Sequence, residues 1–284
     1  MKCFKDFILN ILDIFFLIKK NIRNLLSIKS SFQLRVLIYH DVKSDIQIKL
    51  FHNQILSLKK EYVFISPFEF EKLLKKKNKP NKKYILLTFD DGFKSNRKIA
   101  EEILNKLNIK ALFFIISDFI SKPLKSNAYE KIINNIYPNG PRKEELSKPM
   151  DYDDIKFLLT SGHQIGCHTL SHKKLSSLEN FNDLKSEIIS SKIDLENNFG
   201  IKIKHFAFPF GTYESINHDS IQVLNQYYEY IFSGLRGNNK RVTKLIYRDA
   251  VNPEMKIIRL KSFLNGNADF FYKRKFRILK SYFN

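Results

Sequence analysis

With 284 residues, of which 43% are hydrophobic, the chain can bury a substantial core as one large domain. Its 49 Lys and Arg exceed its 29 Asp and Glu by a formal charge of +20, which suggests attraction to an anionic partner such as nucleic acid, a phospholipid surface or an anionic glycan; Lys-rich runs such as KLLKKKNKPNKKY are more often solvated loop than binding site. No zinc-finger spacing or RNA-recognition signature is present, so nucleic acid is not expected as a partner, and Cys3 and Cys167 are too far apart to make a disulfide framework, which leaves the compartment open.

The first element is FILNILDIFFLI, Phe7 to Ile18, about a dozen residues and so short of the ~20 that a spanning helix requires, with Asn10 and Asp13 interrupting it. No small-x-small cleavage site follows before KKNIRNLLSIKS. Basic residues beside an apolar face fit a helix lying on a membrane surface, and a helix packed on the domain fits equally. Residues 1–30 are therefore read as an apolar, basic helical segment with a membrane surface as candidate partner. Residues 31–265 are read as one domain and 266–284 as a basic, aromatic tail.

From Arg35 onward, short β-like runs alternate with helical patterns, as in βα units around a parallel sheet. The runs are RVLIYH, YVFIS, YILLTF, KALFFII, HQIGCH, KHFAFPF and YEYIFSG. Between them NRKIAEEILNKLN places Ile99, Ile103, Leu104 and Leu107 on one helical face, and DDIKFLLTSG ends in a glycine suited to a helix C-terminus. Seven runs fit a barrel better than a flat sheet, and the Gly-rich turn of a dinucleotide-binding fold is missing. Residues 118–150, with Pro123, Pro138, Gly140, Pro141 and Pro149, read as an irregular insertion.

Three stretches carry chemistry. In YILLTFDDGFKSN, Asp90 and Asp91 follow an apolar strand directly, and ionised carboxylates at the edge of a core need a metal, a hydrogen-bond network or an opposite charge. In GHQIGCHTLSH, His168 and His172 stand four apart after another strand-like run; two imidazoles and a carboxylate make a metal set that leaves positions open for water and substrate. In FAFPFG, Pro209 ends a third run, and the backbone beyond it can turn an N–H toward the barrel mouth. His40 and Asp41 follow the first strand, within reach of the same end.

Together TFDDG, HTLSH and FAFPFG resemble the ordered motifs of the polysaccharide deacetylase family, the NodB-homology group also called carbohydrate esterase family 4, with weaker similarity through LIYHDV and IKALFFI. The resemblance implies an α/β fold, a distorted (β/α) barrel of about seven strands. It also implies a divalent metal, usually zinc, with cobalt, nickel or iron accepted by such mixed ligands. The implied reaction is hydrolysis of N-acetyl groups on amino-sugar residues of a bacterial surface or capsular glycan. By the same resemblance Asp90 is the catalytic base, and Asp91, His168 and His172 are the metal ligands. The Phe210 N–H holds the oxyanion, and Pro209, Tyr213 and His40 are candidate substrate contacts. Two features depart from the family pattern. The arginine that many members place two residues before the third-motif proline is Ala207 here, and no histidine follows His218 to serve as the late general acid. IIRLKSFLNG stands where that late strand is expected. The departures keep a second reading open, a catalytically weak glycan-binding or membrane-associated relative. The expected location is bacterial, cytoplasmic or peripheral to the cytoplasmic membrane rather than secreted.

Overall fold

The computed structural model describes residues 2–26, 31–120, 126–140, 148–241 and 243–283. The seven apolar runs become β1 (Gln33–Tyr39), β2 (Val63–Phe64), β3 (Lys83–Phe89), β4 (Leu112–Ile115), β5 (Gln164–Cys167), β6 (His205–Ala207) and β7 (Tyr230–Phe232). Two further strands, β8 (Leu245–Ile246) and β9 (Asp249–Ala250), were not expected; at two residues each they are too short to show any periodicity. The order across the sheet is β8-β7-β6-β5-β4-β3-β1-β9, and β2 pairs with the first half of β3. All pairings are parallel, and the sheet curls into a distorted barrel with β8 and β9 as its free ends.

Helices cover the outside: α1 (Lys2–Leu25), α2 (Asp45–Lys59), α3 (Pro67–Lys75), α4 (Lys94–Ile99), α5 (Ser126–Ile136), α6 (Tyr152–Thr160), α7 (Phe181–Lys185), α8 (Ser191–Phe199), α9 (His218–Tyr227), α10 (Ile257–Leu264) and α11 (Lys273–Ser281). Capping boxes start several of them, Ser44 with Gln47 on α2 and Ser66 with Glu69 on α3. Two expectations are corrected. The insertion is not wholly irregular: α5 lies within it, burying Ile132 and Ile133 against Phe93 and Phe119, while Pro123 and Pro141 lie outside the described residues. IIRLKSFLNG forms α10 rather than a strand, because its apolar residues follow helical spacing and Leu260, Phe263 and Leu264 are buried together.

Side chains alternate across the barrel wall. Leu34 and Val36 on β1 join Leu86, Phe114 and Phe232 inside, while Leu37 and Tyr39 face the helices. Tyr39, Phe89 and Phe113 stack across β1, β3 and β4 with centroids 5.7 and 5.0 Å apart, which fixes the strands whose ends carry the site. β1 and β3 run in register from Gln33 opposite Lys83 to Tyr39 opposite Phe89, so His40 and Asp90 leave the sheet side by side.

His163, just before β5, illustrates a buried histidine with no metal role. The Ala111 N–H donates to its Nδ1 at 3.0 Å, so the ring is neutral, and burial followed by the charge of Lys110 pushes its pKa from 6.5 down to about 4. The folded ring thus binds its proton more weakly than the unfolded chain does. Its stabilising contribution is complete above pH 6.5 and drains away as pH falls toward about 4. His163→Gln is expected to flatten the acid limb of the stability curve by about 3 kcal/mol, read from urea midpoints across that window. An unchanged limb would show that other groups govern acid unfolding.

Candidate active site

Asp90 and Asp91 follow the last residue of β3, His168 follows β5, and His172 lies on the loop beyond it; all four are buried. Five residues other than glycine adopt positive φ among those described, and four of them are here: Asp91 (76°), Thr169 (66°), His172 (60°) and Phe210 (63°). Such conformations are costly for residues with a Cβ, so the fold concentrates its backbone strain where side chains must be aimed.

Asp91 Oδ1 lies 3.4 Å from His168 Nε2 and 3.6 Å from His172 Nε2. These separations are long for hydrogen bonds. They match the ~3.3 Å edge of a tetrahedron whose corners lie ~2.0–2.1 Å from one centre, the ligand distance of a zinc-like cation. The remaining ring nitrogens are engaged: His168 Nδ1–H donates to the Ala207 carbonyl at 2.7 Å and His172 Nδ1–H to the Asn135 carbonyl at 3.2 Å. Both Nε2 lone pairs therefore point inward, and the backbone carbonyls orient the rings as outer partners of metal-ligating histidines usually do. The donor set fits a divalent cation, and the ligand atoms of these three residues all lie within 4.8 Å of one another.

Asp90 has a different partner. Arg248, buried between β8 and β9, grips it through two bonds, Nη1 to Oδ1 at 2.7 Å and Nη2 to Oδ2 at 2.9 Å. Arg248 is itself held by the Ser233 carbonyl at 2.9 Å and by Thr88 Oγ1 at 3.2 Å, and its guanidinium lies 5.0 Å from the Phe114 ring centroid. A guanidinium thus reaches the carboxylate from a part of the chain remote from Ala207. Sequence reasoning missed Arg248; the only signal was the adjacent charged pair Arg248 and Asp249 within LIYRDAV.

Burial alone would raise both carboxyl pKa values. At Asp90 the charge of Arg248, then those of His168 and His40, outweigh burial and hold it below the usual range. At Asp91 burial is outweighed by His168, His40 and His172, again leaving it low. Burial, then the field of His168, pushes His172 down to about 4, so its ring is neutral and able to ligate.

The four residues open into a cleft of about 730 Å³ that His40, Asp41, Phe210 and Arg248 also line. Phe210, 41% exposed, packs edge-on against His172 with centroids 5.1 Å apart, and its N–H makes no hydrogen bond among the described residues. The turn that presents it is tightly fixed. Gly211, at φ 63°, accepts from the Gly234 N–H at 2.8 Å, and a Cβ at Gly211 would stand 2.4 Å from that nitrogen. Pro209 and Tyr213 are not brought to the cleft lining: Pro209 is buried in the turn, two residues beyond the end of β6, and Tyr213 packs at the outer core edge near the tail.

Known proteins resemble the chain in sequence and in fold. YxkH of Bacillus subtilis, a protein named for polysaccharide deacetylation, is 25% identical over 186 residues, covering 64% of this chain and 58% of its own. The peptidoglycan-N-acetylglucosamine deacetylase of Bacillus cereus is 28% identical over 134 residues, 46% of this chain and 38% of that protein. The chain thus spans less than two thirds of either relative. In fold it is similar to IcaB from Ammonifex degensii (TM-score 0.65, 22% identity, 84% of this chain and 100% of that one) and to the deacetylase PplD of Streptococcus pyogenes (0.62, 21%, 82% and 98%). The family model described as polysaccharide deacetylase matches residues 77–229, just over half of the sequence and all three motif stretches, and the chain therefore belongs to the polysaccharide deacetylase family.

Proposed function

We propose that the chain is a metal-dependent hydrolase that removes N-acetyl groups from amino-sugar residues of a bacterial surface glycan. The observation that carries this reading is the pairing, at one strand-end cleft, of an Asp91–His168–His172 ligand set with a second carboxylate, Asp90, that faces a guanidinium instead. The names of the B. cereus and B. subtilis relatives support the substrate class.

A divalent cation held by Asp91, His168 and His172, zinc being the best match to two imidazoles and a carboxylate, supplies Lewis-acid polarisation and makes water more acidic. The chain's own residues divide the remaining work. Asp90 takes the proton of the attacking water; each of its oxygens keeps a lone pair beyond the one Arg248 occupies. The Phe210 N–H donates to the oxyanion that forms on the acetyl carbonyl. When the C–N bond breaks, the amine must gain a proton. Besides the two ligand histidines, His40 is the histidine lining the cleft, which makes this expected substrate contact also the candidate donor for the general-acid role that the sequence left unassigned.

Acetate release from an N-acetylated chitooligosaccharide, abolished by a chelator and restored by zinc, tests the reading. His168→Ala and His172→Ala should each lower metal content by at least about tenfold and activity with it, measured by elemental analysis. Full metal occupancy in both variants would overturn the ligand assignment. Glycan binding without acetate release would instead favour a binding module, the reading motivated by the missing late histidine.

A further inference from the structure

Helix α1 is docked the opposite way round from most surface helices. Among the described residues its inward contacts include polar ones: Arg259 of α10 bonds Asp13 Oδ2 and Asn10 Oδ1, each at 2.7 Å, and Ser262 Oγ donates to the Leu12 carbonyl at 3.4 Å; Phe16 is the large described side chain buried with them. The opposite face carries Ile11, Ile14, Phe15, Ile18, Ile22 and Leu25, exposed by 48% at Ile11 to 84% at Leu25. At 100° per residue these six positions fall within about a 100° stripe, roughly 21 Å long at 1.5 Å per residue. A surface helix normally turns such a stripe toward the core.

We propose that this stripe docks on a bilayer containing anionic phospholipid. The charge around it is complementary to such a surface. Lys19 is exposed on the helix, and Asp13 is turned inward and paired with Arg259. The tail adds exposed Phe270 and Phe271, followed on α11 by exposed Lys273, Arg274, Lys275, Arg277 and Lys280. Tail and helix are neighbours, for Phe16 and Lys19 share the wall of one cavity with Asp269 and Phe276. No helix among the described residues is long and apolar enough to cross a membrane, so the stripe lies in the interface rather than spanning it. The same cavity is lined by Gln33 and Lys83, the first residues of β1 and β3, whereas Asp90 and Asp91 follow the last residue of β3. Docking therefore engages the barrel pole opposite the cleft and leaves a dissolved glycan free to enter.

The test uses the full chain. It contains no Trp, so Phe15→Trp introduces a single fluorescent reporter on the stripe. Its emission should shift to the blue with phosphatidylcholine vesicles containing phosphatidylglycerol and should not with phosphatidylcholine alone. Raising salt from about 0.1 M to about 1 M, which shortens the Debye length from about 10 to about 3 Å, should release most of the bound protein. The double substitution Ile14→Glu with Ile18→Glu should cut vesicle co-sedimentation by at least about tenfold while leaving melting temperature and turnover of soluble substrate unchanged. Absence of any blue shift, or equal sedimentation of the double variant, would overturn the proposal. So would a dimer in light scattering that the double variant dissociates with no vesicle binding, which would assign the stripe to a second copy of the chain.

Discussion

Asp90→Asn is expected to lower turnover ~10²-fold or more while metal content stays close to that of the parent protein, as loss of a general base without loss of a ligand requires. The substitution keeps the shape of the side chain. Asn can still accept from Arg248 through its single carbonyl oxygen, and it leaves Asp91, His168 and His172 in place. What disappears is the negative charge and the capacity to take a proton from water. Arg248 loses its counter-charge, yet it keeps the Ser233 carbonyl, Thr88 Oγ1 and the Phe114 face, so the variant should fold with only a moderate drop in melting temperature. Metal analysis and steady-state turnover on the same preparation decide the matter. If metal and activity fall together, Asp90 is a ligand and the division of labour between the two carboxylates is wrong.

How far the sequence discloses this site depends on what kind of contact is involved. TFDDG and HTLSH place the three proposed ligand side chains and the proposed base within two short local segments at strand ends, where apolar periodicity and glycine mark the position. The barrel follows from the alternation of runs. Contacts to Asp90, His168 and His172 made by distant parts of the chain could not be read this way. Arg248 lies 158 residues from Asp90 and on a link between two-residue strands that carry no pattern. The Asn135 carbonyl that orients His172 comes from α5, inside a stretch whose prolines and glycine mask its helical spacing. Backbone carbonyls are present at every residue, so no residue type announces them. The same holds for α1: its sequence shows an apolar stripe, and only the docking of Asp13 on Arg259 shows which way that stripe faces.

Arg248→Met should have the largest effect on stability of any single change at the site. Asp90 and Arg248 are both nearly inaccessible, and removing one partner of a buried, doubly bonded pair typically costs about 3–5 kcal/mol because the other charge is left without compensation. Methionine fills much of the volume against Phe114 and Phe232, so packing loss contributes little and the cost is chiefly electrostatic. The double variant, Arg248→Met with Asp90→Asn, separates the two roles of the pair. With both charges gone, stability should return most of the way to the parent value, while activity should remain at the level of Asp90→Asn alone. Arg248→Lys lies between, since one ammonium cannot bond both oxygens in the plane that the guanidinium fixes. If Arg248→Met melts like the parent protein and turns over substrate at the same rate, the arginine neither holds nor orients Asp90, and the absence of an arginine at Ala207 has no replacement elsewhere in the fold. If instead Arg248→Met loses activity in proportion to a misaimed base, with kcat reduced and KM little changed at a temperature where the variant is folded, the guanidinium has moved from the third motif to the β8–β9 link while keeping the same task.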